Sequence, residues 1–248
     1  MIVKSDKERE GMRAASRVVK AALDAAEKFI KAGVTTLEID AVVEEVIRSY
    51  GATPSSKGFH GYPNASCISV NDVVVHGIPS LMTVKDGDIV SVDITALLNG
   101  YQGDAARTFA VGNVSEADRR LIQVAKDAFF AGIEYAKAGC RVGDISSAVQ
   151  LYTELNGCGV VRDLTGHGIG HKMHEPPEVP NFGKHGTGAP LKAGMCICVE
   201  PMITAGGWRV RIERDGWTVK TFDGSRAAHY ENTIIINGDG EPPEILTL

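Results

Sequence analysis

Asp93 and Glu200 each end an apolar run that follows a Lys-x-Gly step. The first run reads Val84-Lys85-Asp86-Gly87-Asp88-Ile89-Val90-Ser91-Val92-Asp93, and the second Leu191-Lys192-Ala193-Gly194-Met195-Cys196-Ile197-Cys198-Val199-Glu200. An acid that closes a buried-looking strand is costly unless it is paired or bound to a cation. Two such acids at matched positions imply one cation site shared between two related half-chains. Asn99-Gly100 signals a two-residue hairpin turn, which sets Leu98 opposite Tyr101 and Thr95 opposite Asp104. Asp93 is two residues from Thr95 and so points to the same face. Asp93 and Asp104 are then diagonal neighbours, roughly 7–8 Å apart at the backbone. By the repeat, Glu200 and Glu231 are their counterparts in the second half. Four facing carboxylates cannot all ionise near neutral pH, and two divalent cations would remove that conflict.

Three histidines add imidazole to the set. His167 stands in Thr-Gly-His-Gly-Ile-Gly, His174 in Met-His-Glu-Pro-Pro, and His76 in Val-Val-Val-His-Gly-Ile-Pro. Each alone is more often a structural histidine; together with four inward acids they gain weight. Carboxylates plus imidazole, without thiolate, suit Mn, Fe(II), Co or Zn. The five cysteines, Cys67, Cys140, Cys158, Cys196 and Cys198, are odd in number and contain no Cys-x-x-Cys. That argues against a disulfide framework and a zinc–thiolate site. Cys196 and Cys198 read as small core residues on one face of a strand.

The elements that must position these groups are legible in outline. Met12, Ala15, Val19, Ala22, Ala26 and Phe29 recur at helical spacing and stop at Gly33. Thr35-x-x-Glu38 is a capping box for a second helix ending at Gly51. Ser115 caps a third helix that ends at Gly139, and Asp144 caps a fourth that ends at Gly157. Lys31-Ala32-Gly33 and Lys137-Ala138-Gly139 repeat at an offset of 106 residues, the two acid strands at 107. Such near-equal offsets indicate a duplicated unit. Strand patterns cover Cys67 to Val75, Asp88 to Leu98, Ala105 to Val111, Met195 to Thr204, Arg209 to Glu213, Trp217 to Thr221 and His229 to Ile236. Pro176 to Gly188 reads as irregular. The expected class is α+β, an antiparallel sheet with helices on one side. The expected organisation is one catalytic domain over 1–248, with repeat halves roughly at 12–111 and 115–236.

Composition narrows the function classes. The chain has 248 residues, 44% hydrophobic, with a formal net charge of −5. Lys and Arg are scattered, without the basic stripe that DNA binding needs. No apolar run approaches the roughly 20 residues of a membrane span, and the first residues lack an apolar signal core. A cytoplasmic location, with no DNA or membrane partner, is the expectation.

Taken in order, Asn71-Asp72-Val73-Val74-Val75-His76-Gly77-Ile78-Pro79, Asp93 through Gly103-Asp104, Gly166-His167-Gly168-Ile169-Gly170, Glu200-Pro201-Met202 and Tyr230-Glu231-Asn232-Thr233 closely resemble the type I methionine aminopeptidases. The match spans nearly the whole chain. The resemblance implies the pita-bread fold: two pseudo-symmetric halves, a curved antiparallel sheet and two covering helix pairs. It implies a hydrolase that removes N-terminal methionine from nascent proteins and peptides with a small second residue, using a hydroxide that bridges two metal ions. Asp93, Asp104, His167, Glu200 and Glu231 match the metal ligands, with Co, Mn, Fe(II) or Zn as candidate ions. Glu200 is the candidate proton shuttle. His76 and His174 match histidines that contact substrate and the tetrahedral intermediate. Tyr62, Cys67 and Trp217 match the methionine side-chain pocket. Phe59, also a pocket candidate, and Met173 depart from common bacterial patterns, which touches fine preference rather than reaction class. Nascent polypeptide N-termini are the implied partners, with work near the ribosome and a monomeric state. Ile2 is too large a second residue, so the chain is expected to keep its own Met1.

Two other readings compete. A proline-specific dipeptidase or aminopeptidase of the same fold usually carries an extra N-terminal domain, for which a catalytic half that begins by residue 12 leaves no room. A non-catalytic binding module would have lost one or more ligands, and all five are present.

Overall fold

The computed structural model describes residues 1–248. Capping starts the helices. Ser5 Oγ accepts from Glu8 N at 3.3 Å to open α1 (Asp6–Phe29). Thr35 Oγ1 accepts from Glu38 N at 3.2 Å and Glu38 Oε2 accepts from Thr35 N at 2.7 Å, the expected capping box of α2 (Thr36–Ser49). The chain then forms β1 (Thr53–Pro54), β2 (Cys67–Val70), β3 (Val73–Val75), β4 (Ile89–Leu98) and β5 (Tyr101–Ala110). The second half repeats the order with α3 (Glu116–Ile133), α4 (Val142–Leu155), β6 (Gly159–Val160), β7 (Thr165–Gly168), β8 (Glu175–Pro180), β9 (Cys196–Val199) and β10 (Met202–Thr204). It closes with β11 (Val210–Ile212), β12 (Val219–Thr221), β13 (Ala227–His229), β14 (Glu231–Ile235) and β15 (Glu244–Ile245).

The main sheet runs β1-β4-β5-β14-β9-β7-β8, with β2 beside β4 and β15 beside β14. Two smaller sheets, β13-β10-β6 and β11-β12-β3, lie off it. All pairings are antiparallel. Side-chain alternation divides the labour between the two faces. Val90, Val92 and Ile94 of β4 join Val19, Ala22, Ile39 and Val43 in one core under α1 and α2. Ile197 and Ile234 join Val124, Phe129, Ile145 and Val149 in a second core under α3 and α4. The opposite face is left to Asp93 and its partners. Gly103 lets α1 approach β5 closely: a Cβ there would stand 2.8 Å from the Ala15 carbonyl carbon and the Ser16 nitrogen.

Several sequence expectations need correction. The fourth helix is capped by Arg141, not Asp144. Asp144 sits at the third helical position and its Oδ2 accepts from Arg141 N at 2.7 Å, the returning half of a capping box. The third helix ends at Ile133, short of Gly139. Cys67 to Val75 is two strands, because Asn71 turns through a φ of 58°. Met195 to Thr204 is broken by Glu200-Pro201, and His229 to Ile236 by Tyr230. Glu175–Pro180 is a strand although it holds three prolines. It lies at the end of the main sheet, and an edge strand tolerates residues that cannot donate.

Candidate metal centre

The site follows from the register set by the Asn99-Gly100 turn. Both turn residues adopt positive φ, 51° and 83°, which matches the twist of a two-residue hairpin. Leu98 pairs with Tyr101, Thr95 with Asp104 and Asp93 with Ala106. Ala106 also pairs with Glu231 on β14, and Asn232 with Val199 on β9. One step along, Glu231 is level with Glu200, just past the end of β9. Asp93, Asp104, Glu231 and Glu200 therefore leave the sheet on the same side. Cys67 of β2 lies directly opposite Asp93. His167 enters from β7, which pairs with β9 through Gly168 and Ile197.

Local hydrogen bonds fix Asp104 and His167. The β5–β14 ladder stops at Ala105, and the Thr233 hydroxyl continues the link: it accepts from Asp104 N at 3.1 Å and donates to Asp104 O at 2.8 Å. Thr95 Oγ1 donates to Asp104 Oδ1 at 3.3 Å. His167 Nδ1 lies 2.9 Å from Gly168 O. A carbonyl can only accept, so Nδ1 carries the proton and Nε2 presents its lone pair. That lone pair lies 3.6 Å from both Asp104 Oδ2 and Glu200 Oε1.

This arrangement is repulsive by itself. Burial pushes the Asp93 carboxyl up to about 7. Asp104 is held well above the carboxylate range by burial, then by Glu231 and Asp93. Glu200 is raised by burial, Asp104 and Asp93, and Glu231 by burial, Glu200 and Asp93. The groups within ion-pair range of the four acids are histidines, not lysine or arginine. His167 cannot supply the charge, because burial and His174 push it down to about 4. Glu231 Oε1 is buried without a hydrogen-bond partner. A lone pair aimed at carboxylates becomes favourable once a cation lies among them, so the residues present fit a divalent metal.

The tightest group is Asp104, His167, Glu231 and Cys198, whose ligand-type atoms all lie within 4.8 Å of one another. Asp93 and Glu200 stand around it and line the same cavity. Two residues at the centre escape sequence reasoning. Cys198 is fully buried, as a core residue should be, yet its sulfur is part of this group. The available signal was its position two residues before Glu200, on the same strand face. His229 Nε2 lies 3.9 Å from Glu200 Oε2 and 4.0 Å from Glu231 Oε2. Neither of its ring nitrogens has a hydrogen-bond partner. Burial, His76 and Arg107 push it down to about 3. Its signal was the same spacing, two residues before Glu231.

A cavity of about 510 Å³ opens above the acids, lined by all five expected ligands and by every expected pocket residue: Phe59, Tyr62, Cys67, His76, Met173, His174 and Trp217. Tyr62 and Trp217 meet edge to face at 5.1 Å, and Trp217 meets His76 at 6.3 Å. Phe59 packs on His174 at 5.3 Å, and His174 on His167 at 4.3 Å. The Tyr62 hydroxyl donates towards Gly77 O at 3.0 Å and Ser66 O at 3.1 Å, so the ring rather than the hydroxyl faces the cavity. Burial and then Cys67 hold its phenol far above the usual range. His76 is lowered by burial and His174, and His174 by burial and His60. Both are neutral near pH 7 and keep one N–H to donate.

Comparison with known proteins agrees with this geometry. Residues 10–237 match the model of metallopeptidase family M24. The chain is 50% identical to a methionine aminopeptidase of Clostridium perfringens over 248 residues, covering 100% of this chain and 99% of the relative. It is 52% identical to the enzyme of that name from Clostridium acetobutylicum, with 100% and 99% covered. The crystal structure of methionine aminopeptidase from Rickettsia prowazekii superposes with a TM-score of 0.97 at 42% identity, covering 100% of each chain. A prolidase from Pyrococcus furiosus shares the fold with a TM-score of 0.77 at 24% identity, but this chain covers 65% of it.

Proposed function

The chain belongs to metallopeptidase family M24, and on that footing we propose that it hydrolyses the peptide bond after an N-terminal methionine. The substrates are nascent chains and peptides with a small second residue. The observation that carries this reading is the juxtaposition of a cation-demanding floor with an aromatic and sulfur-lined wall in one cavity. Sulfur contacts aromatic edges favourably, so Tyr62, Trp217 and Cys67 suit a flexible thioether. We read residues 1–248 as one catalytic domain of two related halves, each supplying a helix pair and two of the four acids. No helix is long and apolar enough to cross a membrane.

Asp93, Asp104, His167, Glu200 and Glu231 would hold the metal. Four carboxylates are balanced by two divalent ions, which favours a dinuclear centre. Co, Mn, Fe(II) and Zn all suit this donor set. When bound, the metal supplies Lewis acidity and lowers the pKa of water. The protein's own groups do the rest. Glu200 accepts the proton of the attacking water and passes it to the leaving amine. His174 donates its N–H to the developing oxyanion. His76, across the cavity beside Trp217, holds the nitrogen side of the scissile bond. Asp104 and Glu231 are buried, so interactions at the cavity floor act in a medium of lower dielectric than water.

The test is hydrolysis of Met-Ala-Ser, Leu-Ala-Ser and Ala-Pro-Ala by metal-stripped protein with Mn, Co, Fe(II) or Zn added back. Metal-dependent release of methionine from the first peptide alone is expected, with two ions bound per chain by elemental analysis. Cleavage of Ala-Pro-Ala alone would move the protein to proline-specific chemistry, and no cleavage with any ion would end the catalytic reading.

A further inference from the structure

The proposed reaction makes no use of Cys198, although its Sγ is one of the four clustered donor atoms at the centre. Donors that share a tetrahedral zinc, with bonds of about 2.0–2.3 Å, stand roughly 3.3–3.8 Å apart. The observed limit of 4.8 Å among Cys198, Asp104, His167 and Glu231 therefore needs a contraction of only about 1 Å. The sulfur's lone pairs are free to take a new bond, since the thiol can only donate to its neighbour. Its polar neighbour is Thr233 Oγ1 at 3.6 Å, and that hydroxyl donates its proton to Asp104 O. A second observation points to the same place: Glu231 Oε1 is buried and unpartnered.

We propose that Cys198 makes this centre a site for soft, thiophilic divalent ions such as Cd²⁺ and Zn²⁺, bound by one sulfur, one imidazole nitrogen and two carboxylates. The proposal rests on the reading above that Asp104, His167 and Glu231 are metal ligands. On binding, the thiol releases its proton to solvent and the sulfur lone pair forms the new bond, with no change of oxidation state. Hard ions such as Mn²⁺ bind through oxygen and nitrogen and leave the sulfur aside. The same pocket thus holds two overlapping donor sets, and the softness of the ion selects between them.

The experiment titrates metal-stripped wild type and Cys198→Ser with Cd²⁺ and with Mn²⁺, by calorimetry and ultraviolet absorption. Wild type should develop a sulfur-to-cadmium charge-transfer band. Cys198→Ser should lack it, and its preference for Cd²⁺ over Mn²⁺ should fall at least about tenfold. Cys67→Ser, which alters the thiol that lines the cavity, should keep the band. Cys198→Ala repeats the test if the serine variant does not fold. A band that survives in both Cys198 variants overturns the proposal, as does an equal loss of both ions, which marks a structural residue. Wild type that binds Mn²⁺ but gives no band sinks the thiol alone; wild type that binds neither ion sinks the metal reading and this proposal with it.

Discussion

Stripping the metal should make stability fall as pH rises above neutrality. Burial pushes Asp93 up to about 7, and burial plus mutual repulsion raises Asp104, Glu200 and Glu231 well above the carboxylate range. The folded chain then holds protons that the unfolded chain, with acids titrating at about 4, has already released. Stability from a raised carboxyl is greatest below its unfolded pKa and is lost as pH climbs towards the folded one. Four histidines oppose this. His76, His167, His174 and His229 are all lowered, so they add stability with rising pH, but only until unfolded imidazole, half titrated at about 6.5, has lost its proton roughly one pH unit higher. Above that point the carboxyls act alone. Asp93 completes its share near 7, leaving Asp104, Glu200 and Glu231. Each such group costs ~1.4 kcal/mol per pH unit. A single such group sets a floor of ~1.4 kcal/mol between about pH 7.5 and about pH 8.5. At ~2–4 °C per kcal/mol for a chain of this size, the floor alone lowers Tm by ~3–6 °C. Metal-loaded protein should be flat across the window, because the cation holds the ionised forms. Thermal melts with and without chelator, at both pH values, decide the matter. A metal-stripped Tm that stays level or rises would refute the assignment of these four acids.

Three further outcomes are expected. His229→Phe should weaken metal binding by about 10–100-fold, the usual loss when a group behind a ligand is removed. His229→Gln, which restores a donor towards Glu200 and Glu231, should recover part of it by calorimetry; equal losses in both would deny His229 that role. Trp217→Ala removes the wall that packs on Tyr62 and His76, so KM for methionyl peptides should rise more than kcat falls in steady-state assays. Gly103→Ala drives a methyl into the α1 backbone and should cost ~1–3 kcal/mol in urea unfolding, without change in the number of ions bound.

Local signals carried much of this fold. Thr35 with Glu38 and Asn99 with Gly100 act within a few residues, so their consequences are legible in the amino-acid order alone. The hairpin register placed Asp93 and Asp104 on one face, as observed. What stayed hidden depends on distant neighbours. Glu175–Pro180 gives no strand pattern, because its prolines are tolerated only by its edge position. The short β7 around His167 is glycine-rich, so its sequence shows neither alternation nor branched residues. Cys198 and His229 are buried, and burial alone cannot say whether a side chain packs against apolar atoms or against a charged centre.

The order of strands β5-β14-β9 has a consequence for how the protein is made. The β4–β5 hairpin can form once Ala110 has been synthesised, bringing Asp93 and Asp104 together early. Its lateral neighbour β14 is drawn from the end of the chain, and the Asp104–Thr233 contact spans 129 residues. Contacts of that sequence separation are slow to form, because a large loop must close before any reward arrives. The last acid, Glu231, arrives on the wedge that joins the halves. On the proposed ligand set, translation must run past it before the centre can exist, so a half-length product is expected to carry no activity.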